Sequence, residues 1–173
     1  MTVQVAIRPM TIADTSTVGE VHVRAWQAAY RGVMPDEYLD GLRPEERADM
    51  WRRSIEANWF GQRDVITVDA QVAGFAAYGP ERDSDDPTRG ELYAINLHPD
   101  NWRHGLGRQL LRHATAELTR LGFTAAVLWV EASNDRARCF YEIEGWLFDG
   151  AERTDTVQGA TVDEVRYGRA LGH

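Results

Sequence analysis

Residues 91–146 read ELYAINLHPDNWRHGLGRQLLRHATAELTRLGFTAAVLWVEASNDRARCFYEIEGW, and this stretch decides the fold. Its extended first run is broken at Pro99 and leads through a glycine turn into a long amphipathic helix, which is expected to stop at Gly122. A second apolar strand at 125–130 and a second helix follow. The pattern therefore predicts strand, turn, helix, strand and helix. The 3.6-residue period predicts that the first helix buries one face, made of Leu110, Leu111, Ala114, Leu118 and Leu121.

The turn that opens the first helix predicts an anion site. The first amides of a helix have no intrahelical partner, and the helix dipole adds about half a positive charge there. Gly105 and Gly107 lack the Cβ atoms that would keep a phosphate away from those amides. Arg103, His104 and Arg108 add cationic or potentially cationic side chains around the turn. A phosphate or a pyrophosphate is the expected ligand.

Two familiar nucleotide motifs do not match this turn. The dinucleotide fingerprint requires a third glycine near position 110, which is Leu110, and an acidic residue on a following strand. The Walker loop requires Gly-Lys-Ser/Thr, which the turn lacks. A nucleotide-binding module is therefore a distant alternative.

The two halves of the stretch resemble two successive motifs of the GNAT superfamily of acyl-CoA N-acyltransferases. Residues 102–107 fall on its signature Arg/Gln-x-x-Gly-x-Gly/Ala, and residues 134–146 resemble its next motif as Asn134-x-x-Ala137-x-x-Phe140-Tyr141-x-x-x-Gly145-Trp146. Trp102 departs from the family, because the first motif position is usually Arg or Gln. Backbone amides are expected to supply most of the pyrophosphate binding. The match is close over about a third of the chain and loose elsewhere.

The resemblance implies the fold, the cofactor and the cofactor site. The fold would be α/β (α+β), with a mixed central sheet, mostly antiparallel, whose central strands are splayed apart and flanked by helices. The co-substrate would be acetyl-CoA, and no metal would be needed. The strand backbone before the turn would pair with the pantetheine arm. The implied cofactor-binding residues are Ile95, Asn96, Leu97, Arg103, His104, Gly105, Leu106, Gly107, Arg108 and Asn134.

Acetyl transfer to an amine requires a base for the ammonium and benefits from an acid at the departing sulfur. By the resemblance, Tyr141 is the general acid, although Phe140 and Tyr141 could instead be a core pair. Glu91 is the first candidate for the base, directly or through water, and Glu131 is the reserve. The alternative for Glu91 is a solvent-exposed residue at a strand start. Alternation along the strand predicts that four side chains share one face: Glu91, Tyr93, Ile95 and Leu97.

By the same resemblance, the acceptor substrate would lie against the first helices. Trp26 and Tyr30 are four residues apart and share a helix face, where they could enclose an apolar or cationic substrate. Ordinary core packing explains them equally well. Tyr93 and Glu131 complete the expected substrate wall. The acceptor would be a primary amine, most simply of a small molecule; a peptide or protein N-terminus and a non-catalytic acyl-CoA sensor are the alternatives.

Size and composition agree with an enzyme of one domain, residues 1–173. No apolar run approaches the roughly 20 residues that span a bilayer, and the N-terminus lacks a signal-peptide layout. Cys139 is the single cysteine and is expected to be buried; no intrachain disulfide can form, which suits the cytoplasm. The net charge of −8 argues against nucleic acid and suits a cationic amine, unless it serves only solubility. The oligomeric state stays open; homodimers are common in the resembled family.

Overall fold

The computed structural model describes residues 3–59, 61–157 and 160–172. Within these ranges seven strands form one sheet in the order β1-β2-β3-β4-β5-β7-β6. The strands are β1 Val5–Pro9, β2 Gln62–Val68, β3 Gln71–Pro80, β4 Arg89–Leu97, β5 Ala125–Glu131, β6 Leu147–Val157 and β7 Ala160–Ala170. The helices are α1 Thr15–Tyr30, α2 Asp36–Asp40, α3 Pro44–Glu56, α4 Leu106–Arg120 and α5 Asp135–Ile143. The sequence has strand-like stretches at 146–153 and 161–169 separated by Gly159, which lies outside the described residues.

The sheet is mixed and mostly antiparallel, as the sequence predicted. The β4–β5 pair is parallel, and the other neighbouring pairs run antiparallel. Pairing between β4 and β5 starts at Arg89↔Ala125 and stops at Leu92↔Leu128, although both strands continue beyond those residues. The predicted splay of the central strands is therefore confirmed, and it opens a V-shaped cleft within the sheet.

A β-bulge in β4 overturns one prediction about side-chain direction. Opposite β3, Tyr78 pairs with Leu92 and Ala77 pairs with Ala94, so Tyr93 is an extra residue in β4. Because an extra residue shifts the alternation by one, the strand faces exchange at that point. Tyr93 packs against the core under α1 and α3, whereas Ile95 and Leu97 pack against the opposite core. The prediction that Glu91, Tyr93, Ile95 and Leu97 share one face is wrong for the last two.

Helices cover both faces of the sheet. One core lies under α4 and α5, where Leu110, Leu111, Ala114 and Leu118 are buried as predicted. Leu121 is 40% exposed instead of buried, because α4 ends at Arg120 and Gly122 follows with φ of 95°. The other core joins α1 and α3 to β2 and β3. Across the described ranges, no helix combines the length and apolar character needed to cross a membrane.

The start of α1 is anchored by the buried carboxylate of Asp14. Thr11 and Asp14 form a capping box, and Asp14 also accepts two hydrogen bonds from Arg8 at 2.7 and 2.8 Å. Hydrogen bonding from the Arg8 guanidinium outweighs burial and lowers the pKa of Asp14 to about 2. A lowered pKa stabilises the fold above the unfolded-state value near 4, and this contribution is lost as pH falls towards 2.

Replacing Asp14 with asparagine is expected to lower the free energy of unfolding at pH 7 by about 2 kcal/mol. The difference from the parent protein should shrink as the pH falls from about 5 to about 2, where the parent protonates Asp14. Chemical denaturation at several pH values measures both effects. Asp36→Asn is the matched control, because its ion pair with Arg31 is exposed. Equal losses of unfolding free energy in the two variants would show that Asp14 stabilises the fold no more than an exposed ion pair does.

Candidate active site

The cleft between β4 and β5 opens into a cavity of about 790 Å³. Both strands line it, and α1, α3 and α5 contribute to its walls. Past the last β4–β5 pair, residues 94–97 of β4 keep their β3 partners and turn their other backbone edge towards the cleft. Unpaired peptide groups bind the amides of an extended ligand as a neighbouring strand would. Ile95, Asn96 and Leu97 therefore lie on the cavity wall.

The turn before α4 has the backbone of an anion site. Arg103 and Gly105 adopt positive φ values of 65° and 76°. Leu106 is 4% exposed and anchors the first turn of α4 in the core. Among the described residues no side chain caps the N-terminus of α4. The first amides of this helix therefore donate to no side-chain acceptor of the protein. A phosphate or another anion fits such an end.

Gly105 and Gly107 serve different physical purposes. Gly105 provides the left-handed backbone at the N-cap, and a Cβ there would meet nothing within 4 Å. A Cβ on Gly107 would approach Leu97 Cδ1 to 3.2 Å and Phe140 Cζ to 3.7 Å. Close packing of the turn on β4 and α5 thus accounts for Gly107. The sequence predicted that both glycines leave room for a phosphate, and for Gly107 this explanation is incomplete.

The basic side chains around the turn differ in their availability. Arg108 Nε donates to Glu144 at 2.6 Å, and Arg112 binds the same carboxylate at 2.8 Å. The Arg108 guanidinium is therefore engaged on the α5 side, although its amide belongs to the first turn of α4. Arg103 and His104 are exposed, and neither has an ion-pair partner among the described residues.

Trp102 and Arg136 form a contact that the sequence did not suggest. The Trp102 indole Nε1 donates to the Leu97 carbonyl oxygen at 3.0 Å. The Arg136 guanidinium carbon lies 3.7 Å from the indole centroid, and both side chains line the cavity. Arg136 occupies a variable position of the Asn134-x-x-Ala137 motif, so no pattern singled it out. Arg136 is exposed as a whole residue, and partial desolvation of its guanidinium, followed by the nearby Arg103 charge, lowers its pKa.

Two phenols and one amide meet where α1 and α5 border the cavity. Tyr141 is 8% exposed, belongs to the α4–α5 core and lines the cavity as well. Burial, and then neighbouring Tyr30, raise the pKa of Tyr141 above its ordinary value. Burial and then Glu131 raise the pKa of Tyr30 to about 12, against a hydrogen bond from Asn134. Asn134 also caps α5, accepting from the Ala137 amide at 3.1 Å.

Glu91 lies at the inner end of the cleft in a buried ion pair. Its side chain is 1% exposed, which excludes the solvent-exposed alternative. Arg82 donates to it from a guanidinium nitrogen at 2.5 Å and from its backbone amide at 3.0 Å. Proton transfer to Glu91 would have to disturb this pair.

Glu131 ends β5 on the wall of the same cavity and is 8% exposed. Its carboxylate accepts hydrogen bonds from the backbone amide and the hydroxyl of Ser133 at 3.1 and 2.9 Å. Within the described ranges it forms no ion pair with a basic side chain. Of the two candidate bases, Glu131 is therefore the carboxylate without a fixed cation.

The predicted aromatic substrate residues, Trp26, Tyr30 and Tyr93, all line the cavity. Trp26 packs edge-on against Tyr30 with ring centroids 5.0 Å apart, and at 9% exposure it is also part of a core cluster. Tyr93 stacks near Trp59 at 5.3 Å and donates its hydroxyl proton to the Pro80 carbonyl at 2.5 Å. These rings leave the cavity a largely apolar side next to Glu131.

Cys139 is exposed on α5, contrary to the expected burial, and it does not line the cavity. In a nine-residue helix that contacts the core along one face, position 139 points outward while Tyr141 points inward. The described residues contain no cluster of three His, Cys, Asp or Glu side chains that could hold a metal ion.

Comparison with known proteins identifies the family. Residues 23–146 match the model of the acetyltransferase (GNAT) family. The chain is 34% identical over 131 residues to the uncharacterized N-acetyltransferase YuaI of Bacillus subtilis, covering 75% of this chain and 73% of YuaI. It is 33% identical over 135 residues to the [ribosomal protein bS18]-alanine N-acetyltransferase of Salmonella typhimurium, covering 75% of this chain and 80% of that enzyme.

A solved structure has the same fold. The PaiA N-acetyltransferase of Thermoplasma acidophilum, crystallised with coenzyme A, superposes with a TM-score of 0.73 at 19% identity, covering 96% of this chain and 99% of that one. The splayed strands, the open amides before α4 and the family match agree with one another. The chain belongs to the GNAT family of acetyltransferases, enzymes that take their acetyl group from acetyl-CoA.

Proposed function

We propose that this protein acetylates a primary amine of a small molecule by direct transfer from acetyl-CoA, in the cleft between β4 and β5. The observation that carries the proposal is that a buried phenol, Tyr141, and a buried carboxylate, Glu131, line the same cavity. Acetyl transfer to an ammonium requires a base for the ammonium proton and benefits from an acid at the departing sulfur.

The residues fit the cofactor. The amides of residues 103–108 and the side chains of Arg103 and His104 would hold its pyrophosphate, and the cleft edge of residues 95–97 would hold its pantetheine arm. When bound, acetyl-CoA supplies the acetyl thioester. The Tyr141 hydroxyl keeps its proton because burial raises its pKa, so it can donate that proton to the sulfur.

Glu131 is the favoured base, and Glu91 is the alternative. Glu131 has no fixed cation and can accept a proton from the acceptor ammonium, directly or through water. Glu91 is bound by Arg82 through several hydrogen bonds, which favours a role in holding β4 and the preceding loop together. The sequence alone ranked these two carboxylates the other way.

The enclosed aromatic side of the cavity supports a small acceptor. Trp26, Tyr30 and Tyr93 line it together with Glu131, a combination that suits an amine with an apolar or cationic body. A protein N-terminus is the second candidate, because the Salmonella relative is named for acetylating an alanine of ribosomal protein bS18.

Release of the CoA thiol from acetyl-CoA tests the proposal across two acceptor sets. One set contains small primary amines, including diamines and aromatic amines, and the other contains peptides with a free N-terminal alanine. We expect kcat/KM for the best small amine to exceed that for the best peptide by at least about tenfold, a difference of about 1.4 kcal/mol in transition-state binding. The reverse order would favour the protein N-terminus.

A further inference from the structure

Trp102, the position where this chain departs from its family motif, makes two side-chain contacts. Trp102 stands where the signature has Arg or Gln, and so brings no charge to the turn. Its indole is fixed from one side by the hydrogen bond to the Leu97 carbonyl, at 3.0 Å. Its ring face supports the Arg136 guanidinium at 3.7 Å, a close cation–π distance. Trp102 thereby holds the Arg136 side chain of α5 beside the turn before α4.

The guanidinium of Arg136 has the surroundings of an anion ligand. Among the described residues no carboxylate forms an ion pair with it. Arg103, on the turn itself, is near enough for its charge to act on Arg136, and it likewise has no described ion-pair partner. Two cations drawn together without a counter-ion repel each other, and an anion between them would relieve that repulsion.

We propose that Arg136, held over the ring of Trp102, binds a phosphate of acetyl-CoA and supplies in this chain the charge that the motif's first position lacks. A guanidinium presents parallel N–H groups that match two phosphate oxygens, which an indole cannot do. Arg136 is the phosphate ligand and Trp102 is its positioning residue. The inference rests on the proposed function only in so far as both need acetyl-CoA in this cleft.

Isothermal titration with CoA measures the contact without any acceptor or turnover. Arg136→Gln is expected to raise the Kd for CoA by about tenfold or more, the usual size of a charge-assisted hydrogen bond to phosphate. The dependence of Kd on salt should also become shallower, because one ion contact is gone. The matched control is Arg52→Gln, which removes an exposed arginine of α3 paired with Asp49. The control should bind CoA as the parent does.

Trp102→Leu separates positioning from simple packing. Alone, this variant is expected to weaken CoA binding by a few-fold, because Arg136 loses its support. In the Arg136→Gln background the same change should have little further effect, since residues that act through one contact are not additive. Arg136→Lys should be intermediate, because an ammonium keeps the charge and loses the paired N–H groups.

Titration with 3′-dephospho-CoA identifies the phosphate. If Arg136 binds the 3′-phosphate, the parent protein should bind 3′-dephospho-CoA more weakly than CoA, by about the factor that Arg136→Gln costs in CoA binding. The Arg136→Gln variant should then bind CoA and 3′-dephospho-CoA equally well. If it binds the pyrophosphate, the variant should be weakened equally for both ligands. The proposal would be overturned if Arg136→Gln and Arg136→Lys bound CoA within about twofold of the parent and the salt dependence of Kd were unchanged. Because no acceptor is involved, a wrong acceptor assignment cannot produce that result.

Discussion

Replacing Tyr141 with phenylalanine is expected to lower kcat for amine acetylation by about 10²- to 10³-fold, the usual contribution of a positioned general acid. The Kd for acetyl-CoA should change little, because phenylalanine preserves the buried ring and removes the hydroxyl alone. Steady-state kinetics with a saturating amine, together with titration of acetyl-CoA, measure the two quantities separately. The raised pKa of Tyr141 adds a second expectation: no loss of activity from its ionisation below a pH of about 10.

Two matched tyrosine variants show whether the effect belongs to this hydroxyl. Tyr93→Phe also removes a hydroxyl from the cavity wall, but that group is bonded to the Pro80 carbonyl, so kcat should change little. Tyr30→Phe tests the neighbouring phenol that Asn134 binds. If Tyr30→Phe lowered kcat by the larger factor and Tyr141→Phe left it unchanged, Tyr30 would be the acid.

Replacing Glu131 with glutamine is expected to lower kcat/KM by about 10²-fold at neutral pH while leaving thermal stability close to that of the parent. The amide keeps an oxygen that can accept from Ser133, but it cannot take a proton from the acceptor ammonium. Activity of the variant should recover as the pH rises and the free amine form of the acceptor becomes abundant. A purely structural role for Glu131 would not produce that recovery.

Glu91→Gln is the paired comparison, and its expected signature is the opposite. Loss of this carboxylate leaves Arg82 without its partner, which should lower the free energy of unfolding by about 2–3 kcal/mol. This loss is smaller than that of a fully buried pair, because the Arg82 side chain is 40% exposed. Denaturation curves and pH–rate profiles of both variants distinguish the two roles. A stable Glu91→Gln protein that recovers activity at high pH would make Glu91 the base.

The sequence predicted those features that local rules determine. The stop at Gly122 and the buried face of α4 follow from patterns within a few residues. The splay of β4 and β5 followed from the family resemblance, since no local pattern specifies where a parallel pair separates. Both kinds of prediction are confirmed.

Features that depend on residues far apart in the sequence could not be predicted from local patterns. The bulge at Tyr93 is set by pairing with Ala77 and Tyr78 on β3, and it reversed the faces expected for Ile95 and Leu97. The same limit applies to charged groups: Arg82 binds Glu91 from a loop with no motif of its own, and Arg136 reaches Trp102 from another helix. The family resemblance suggested Glu91 as the base, with Glu131 in reserve, whereas the hydrogen-bond partners of the two carboxylates distinguish them.

A crystal structure with CoA bound tests the central claim most directly. The account predicts that the pantetheine arm lies between β4 and β5 and that the sulfur lies within hydrogen-bond reach of the Tyr141 hydroxyl, about 3–3.5 Å for a sulfur acceptor. The Glu131 carboxylate should face the open, acceptor side of that sulfur. A sulfur placed instead beside Tyr30 or Glu91, with Tyr141 out of reach, would contradict the assignment of acid and base.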